Sequence, residues 1–165
     1  GDVYKRQLMY QLTTAYYLPW ELVPPEEKGG EALTIDVRYD RTDIQVNDTI
    51  VADVRIGLNQ EGTARMVLVD LGLPPGFSLV REDLDELVRC SADMETRISR
   101  YEVTGRQVIL YIENLRSGTA IHFTYRLRAK YPLRAKTAPF RAYDYYSPSV
   151  QAEQEPLEIV VRSSE

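Results

Sequence analysis

The chain has 165 residues, 44% of them hydrophobic, with 20 basic and 25 acidic residues and a formal charge of -5. That is enough apolar material for one folded domain and argues against wholesale disorder. The acidic balance argues against nucleic acid as a partner, because affinity there rests on neutralising phosphates. No apolar run of membrane-spanning length occurs, so direct membrane insertion is not expected. One cysteine, Cys90, excludes an intrachain disulfide.

Gly1 to Gln7 lacks the apolar core of a signal peptide and reads as non-native leader sequence, and the missing initial Met suggests a piece of a longer protein. Leu8 to Leu18 is apolar and tyrosine-rich and ends at Pro19, as one strand would. Pro24 to Gly30 combines two prolines, three charges and two glycines, the composition of a linker. The expected organisation is therefore a tail of a preceding domain over 1–30 and one folded unit over 31–165.

Period-2 patterning dominates after the linker. Leu33, Ile35, Val37 and Tyr39 alternate with polar residues, as do Ile50, Ala52, Val54, Ile56 and Leu58. Asn59 to Gly62 is a turn, and Asn47-Asp48-Thr49 matches the glycosylation pattern. Ala64 to Leu71 is nearly continuous in apolar residues, which predicts a central strand. Leu79, Leu84, Leu87 and Val88 recur at helical spacing within Ser78 to Cys90, with Ser78 as the expected cap. Arg97 to Val103 and Gln107 to Glu113 flank Thr104-Gly105-Arg106, a hairpin with glycine at a left-handed position. After a turn at Ser117-Gly118, Ile121, Phe123, Tyr125, Leu127, Ala129 and Tyr131 alternate with polar residues. Phe140 to Tyr146 and Leu157 to Arg162 complete the set. The fold class is all-β: an antiparallel sandwich of seven to nine strands with one short α-helix.

Chemistry-bearing residues are scattered. His122 falls on the polar face of its strand, Cys90 at a helix end as a half-buried thiol, and Ser78 lacks the glycines of a nucleophile elbow. Glu82, Asp83, Asp85 and Glu86 lack the oxygen ladder of a calcium loop and read as a solvated helix face. No catalytic, cofactor or metal residues are therefore expected, and the chain does not read as an enzyme. Six basic residues, Arg126, Arg128, Lys130, Arg134, Lys136 and Arg141, lie within a stretch that holds no acid. They read either as cover for sheet edges or as a patch complementary to the acidic helix or to a neighbouring domain. Tyr143 and Tyr145 share one face of their strand, and Phe140, Ala142, Asp144 and Tyr146 the other, so at least one set belongs to the core.

The order of these features resembles a known module. Leu73 to Leu79 leads into a short helix, Ile98 to Val103 and Val108 to Ile112 form the next hairpin, and Tyr143-Asp144-Tyr145-Tyr146 comes near the end. From Leu33 to Arg162 this is similar to the C-terminal receptor-binding domain of the alpha-2-macroglobulin family, which includes the thioester-containing complement components. The Leu8 to Leu18 strand resembles the last strand of the preceding CUB-type domain. The resemblance implies a non-catalytic terminal module of a bait-and-trap endopeptidase inhibitor, extracellular or in the bacterial periplasm or cell envelope. Its implied partners are neighbouring domains of the same inhibitor, target proteases indirectly, and a cell-surface receptor. The family's receptor-binding helix corresponds to Leu79 through Arg89, which carries no lysine. That departure favours a structural lid or docking surface for the thioester domain over receptor binding. The contact residues expected on this reading are Arg81, Asp85 and Arg89 on the helix and Arg126, Arg128 and Lys130 on the basic strand. The alternative is an adhesion or carbohydrate-binding sandwich in which Tyr143, Tyr145 or Tyr111 stacks on sugar.

Overall fold

A computed structural model describes residues 32–163. The expected CUB-like tail and linker over 1–30 lie outside the described residues. Twelve strands and one helix follow in the order β1 (Leu33–Tyr39), β2 (Asp43–Gln45), β3 (Thr49–Leu58), β4 (Thr63–Gly72), β5 (Phe77–Leu79), α1 (Arg81–Ser91), β6 (Arg97–Val103), β7 (Gln107–Arg116), β8 (Ala120–Ala129), β9 (Leu133–Lys136), β10 (Phe140–Asp144), β11 (Gln151–Gln154) and β12 (Glu158–Arg162). Eight of the strands have five residues or more, and these are the ones that sequence periodicity can detect. The others, β2, β5, β9 and β11, have three or four residues, too few for a period-2 pattern to register.

Two sheets face each other. One has the order β1-β3-β8-β5 and the other β11-β10-β4-β7-β6. The apolar run predicted to be central is β4, which pairs with β10 on one side and β7 on the other. Alternation delivers the core: Ile50, Ala52, Val54 and Ile56 of β3, Val67, Val69 and Leu71 of β4, and Val108, Leu110 and Ile112 of β7 are all sealed from solvent. Along β8, Phe123, Tyr125, Leu127 and Ala129 point inward as expected, but Tyr131 lies beyond the strand and is exposed. A third sheet, β2-β12-β9, closes one end of the sandwich and adds Ile44, Ile159 and Val161 to the core.

The turns use specific backbone chemistry. Asn47 adopts φ 71° between β2 and β3, a left-handed position that asparagine tolerates. Gly76 adopts φ 76°, and a Cβ there would fall 2.2 Å from Leu133 Cδ2, so that turn admits little but glycine. The hairpin between β6 and β7 forms where expected, but Gly105 is not among the glycines with positive φ. Thr104 closes that turn instead. Its Oγ1 accepts the N–H groups of Arg106 and Gln107 at 3.4 and 3.2 Å, and its own N–H donates to the Gln107 carbonyl at 2.9 Å.

The helix begins later than its apolar spacing suggests. Ser78 is not its cap: Phe77–Leu79 is a strand that pairs with the free edge of β8, with Ser78 opposite Arg128. An unpaired β8 edge offers these residues backbone hydrogen bonds that a first helical turn could not. Val80 takes the cap position without a side-chain bond, and Glu82 and Asp83 supply negative charge to the helix N-terminus. The helix then packs on both β6 and β8, with Leu84 fully buried beneath it.

Polar side chains pin both open sides of the sandwich. On the helix side, the Asp83 carboxylate accepts from Arg126 Nε and Nη2 at 2.9 and 2.7 Å and from the Arg126 backbone N–H at 2.9 Å. Ser91, at the helix end, donates to the Ile98 carbonyl at 3.2 Å and accepts the Ile98 N–H at 3.1 Å. On the opposite side, the Gln154 amide accepts the Val37 N–H and donates to the Val37 carbonyl, both at 2.7 Å. One side chain thereby reproduces a strand-to-strand bridge between β1 and β11.

Two predictions follow from these clamps. Gln154→Ala leaves both backbone groups of Val37 without a partner, and should cost about 2 kcal/mol in urea unfolding. Gln154→Glu, which keeps an acceptor but sets a carboxylate against the Val37 carbonyl, should not recover the loss. The Arg126 guanidinium holds the Asp83 carboxyl below its usual range. This contribution to stability is present above about pH 4 and lost as pH falls through the depressed value. Asp83→Ala should abolish that part of the acid dependence and accelerate amide exchange over Arg81–Ser91, with the sheets unchanged, as hydrogen-exchange mass spectrometry can measure.

Candidate protein-contact surfaces

The tyrosine-rich strand divides differently from its sequence pattern. Phe140 and Ala142 are fully buried and Tyr143 is half-buried, but β10 ends at Asp144. Tyr146 therefore leaves the core face to which alternation assigns it. The reason is local: Asp144 Oδ1 accepts the N–H groups of Tyr146 and Ser147 at 2.8 and 3.1 Å, an aspartate turn that ends the strand. The loop is fixed further by the Tyr145 N–H on the Met66 carbonyl at 2.9 Å and the Val150 N–H on the Ser147 carbonyl at 2.8 Å. The Tyr145 and Tyr146 rings meet edge to face at 5.2 Å, yet they are 57% and 69% exposed. An aromatic pair held by backbone bonds but left open to solvent is the composition of an interface anchor, with little ordering entropy left to lose.

The expected helix contacts are engaged within the domain. Asp85 accepts the Tyr101 hydroxyl at 2.5 Å, which raises the Tyr101 phenol. Arg89 pairs with Glu86 one turn earlier. Arg81 is exposed at the first helical position. The helix is thus tied down by its acids rather than presenting a purely solvated face.

The basic strand separates into committed and outward residues. Arg126 is bound to Asp83, so the acidic helix and the basic strand do meet each other. Arg134 pairs with Glu158, and Arg141 with Glu153 at 2.9 Å. Arg128 and Lys130 are exposed at the β8 end next to the turn at Gly76, whose carbonyl accepts the Lys130 N–H at 2.9 Å. The structure brings Arg126 to the helix and leaves Arg128 and Lys130 facing outward.

The isolated reactive side chains have partners of their own. His122 Nε2 lies 2.7 Å from Asp53 Oδ2 on the outer face of the four-stranded sheet. That hydrogen bond holds the Asp53 carboxyl low. Cys90 is exposed rather than half-buried, because the helix continues to Ser91 and turns Cys90 outward. Its thiol donates to Glu86 Oε1 at 3.0 Å, and this bond raises the thiol above its ordinary value and keeps it protonated. Both side chains line a cleft of about 310 Å³ together with Leu87, Met94, Ile98 and Ile121. Within it each is bonded to a carboxylate, not to the other. Among the described residues no cluster of three or more His, Cys, Asp or Glu could hold a metal ion, and no helix is long and apolar enough to cross a membrane.

Comparison with known proteins agrees with this architecture. The family model of the A-macroglobulin receptor binding domain matches residues 62–156, more than half of the chain. No curated protein sequence matches. Among solved structures, native alpha-2-macroglobulin from Escherichia coli, spanning domain MG7 to the C-terminus, matches at TM-score 0.66 and 16% identity, over 79% of this chain and 23% of that one. Trypsin-activated alpha-2-macroglobulin from Escherichia coli matches at TM-score 0.65 and 14% identity, over 79% and 10%. Salmonella alpha-2-macroglobulin reacted with methylamine matches at TM-score 0.63 and 15% identity, over 79% and 9%. At these identities the likeness is one of fold, and the chain spans less than a quarter of the length of each of these proteins. With a matching family model across β4 to β11 and the same sandwich-plus-helix fold, this chain belongs to the A-macroglobulin receptor binding domain family.

Proposed function

We propose that the chain is the terminal, non-catalytic module of an alpha-2-macroglobulin-type protease trap, and that it works by docking on neighbouring domains of the same polypeptide. The carrying observation is the Tyr145–Tyr146 pair, rigidly bonded yet more than half exposed. Such a surface is incomplete alone and suits burial against a partner domain. The outward Arg128 and Lys130, at the β8 end next to Gly76, and the exposed Arg81 offer further polar contacts elsewhere on the domain. Target proteases are engaged by the whole trap rather than by this module.

A docking role is favoured over receptor recognition by the helix itself. Residues 79–89 hold no lysine, and Asp83, Asp85 and Glu86 are occupied by Arg126, Tyr101 and Arg89. An extracellular or cell-envelope location follows from the same reading, since the trap must meet foreign proteases. The sugar-binding alternative finds less support at Tyr111, because the Arg100 guanidinium sits 3.9 Å from the centre of its ring.

The test uses the intact polypeptide that carries this module. Tyr145→Ala/Tyr146→Ala and, separately, Arg128→Glu/Lys130→Glu should leave the folded spectrum of the 165-residue chain unchanged. In the intact protein both should alter the fraction of protease captured after bait cleavage. Unaltered capture by both variants would refute the docking reading. Arg126 is unsuitable for this test, since reversing its charge also breaks the helix clamp.

A further inference from the structure

The outward face of the five-stranded sheet carries side chains in two cross-strand rows. Tyr143, Leu68, Tyr111 and Arg100 are successive neighbours in one, and Arg141, Asp70, Ile109 and Glu102 in the other. Leu68 points away from the core, between Val67 and Val69, yet is only 7% exposed. Its row neighbours are the rings of Tyr143 and Tyr111, which flank it on either side. The result is an apolar floor with aromatic walls on an otherwise charged face.

The charges of this face pair off, with one exception. Arg97 bonds Glu113 at 2.6 Å, Arg100 bonds Glu102 at 3.2 Å, and Arg141 bonds Glu153 at 2.9 Å. Asp70 has no ion pair among the described residues, and its Oδ1 is sealed from solvent without a hydrogen-bond partner. Burial raises its carboxyl, opposed in part by the charge of Arg141, which is spent on Glu153. Tyr111 and Tyr143 both sense the Asp70 charge. A half-buried carboxylate framed by two aromatic rings lacks one positive charge, and a cation placed there gains from both the carboxylate and the ring faces.

We propose that this face docks a protein partner through a lysine side chain, whose ammonium meets the Asp70 carboxylate at Oδ2, the oxygen that is not sealed, and whose methylene stem lies over Leu68 between Tyr111 and Tyr143. Lysine fits better than arginine because the planar position on Tyr111 is already held by Arg100, whereas a compact ammonium on an apolar stem matches a narrow strip ending in a carboxylate. The surface is a sheet face, not an enclosed cavity, so the ammonium arrives on a body that covers the rows. This site is on the sheet face, adjoins the tyrosine loop at Tyr143, and stands whether or not the trap reading holds.

The experiment titrates the 165-residue chain, carrying 13C-labelled tyrosine and aspartate, with an acetylated and amidated Gly-Lys-Gly peptide. The norleucine counterpart, Gly-Nle-Gly, serves as control. The expected result is saturable shifts at Tyr111, Tyr143 and the Asp70 carboxyl, with a Kd on the order of 1 mM and a lowered Asp70 titration midpoint. Asp70→Asn should weaken binding about tenfold, and norleucine should not bind. Tyr143→Leu, which keeps the carboxylate but removes one wall, should also weaken binding and covers the case in which Asp70→Asn disturbs the sheet. Equal binding of the norleucine peptide, equal binding by the variants, or no saturable shift at these three residues would overturn the proposal.

Discussion

A two-sheet sandwich has to deal with the edges of its sheets, where strands expose backbone groups that seek partners. In this chain the edges are managed by a few side chains that imitate backbone. Gln154 gives Val37 the two bonds a further strand would give. Ser91 does the same for Ile98 on β6, and Asp83 takes the Arg126 N–H along with its guanidinium. These contacts join sheet to sheet and helix to sheet across the open sides of the core, so the placement of α1, and of every surface it borders, depends on them.

The same economy governs the outer surface. Most charged side chains with a geometric opportunity are paired: Arg97 with Glu113, Arg162 with Asp43, Arg141 with Glu153, Arg126 with Asp83. Exposed pairs of this kind contribute little stability each, but they neutralise the face they cover. The exceptions then acquire meaning by contrast. Tyr145 and Tyr146 remain open although their backbone is fixed, and Asp70 has no ion pair among the described residues although three arginines lie on its face. Two neighbouring positions on the domain are therefore chemically incomplete. One lacks an apolar cover and the other lacks a cation.

Most of the sandwich was legible in the sequence because its long strands alternate. Residues 50 to 58 and 121 to 129 announce their inward faces directly, and the apolar run at 64–71 announces a central strand. What escaped depends on partners remote in sequence. Ser78 reads as a helix cap until the free edge of β8 competes for it. Gln154 looks like an ordinary polar residue, because its partner Val37 is 117 positions away. Tyr146 shares the face of Phe140 and Ala142 by alternation until Asp144 accepts the N–H groups of Tyr146 and Ser147, although an aspartate shortly before Ser147-Pro148 was a turn signal that could have been weighed. The contact residues fared unevenly for the same reason: the basic run around Arg126 was visible, but its division into Arg126, spent on the helix, and Arg128 with Lys130, facing outward, exists only in three dimensions.

The helix is where these threads meet. A short amphipathic helix with four carboxylates and two arginines looks, as sequence, like a recognition element. In the fold three of its four acids are turned to internal use: Asp83 to β8, Asp85 to Tyr101 of β6, and Glu86 to Arg89 and Cys90. Each such bond removes an acceptor from any external ligand, and a partner that took one over would gain only the difference between the bond made and the bond lost. Recognition by this helix is thus opposed by the domain's own cohesion. The rigid tyrosine loop has no such conflict, since its N–H groups at Tyr145, Tyr146, Ser147 and Val150 are satisfied internally while its rings stay exposed. A partner seated there gains apolar burial without dismantling anything, which is why the proposed docking function places its contact at that end of the sandwich rather than on the helix.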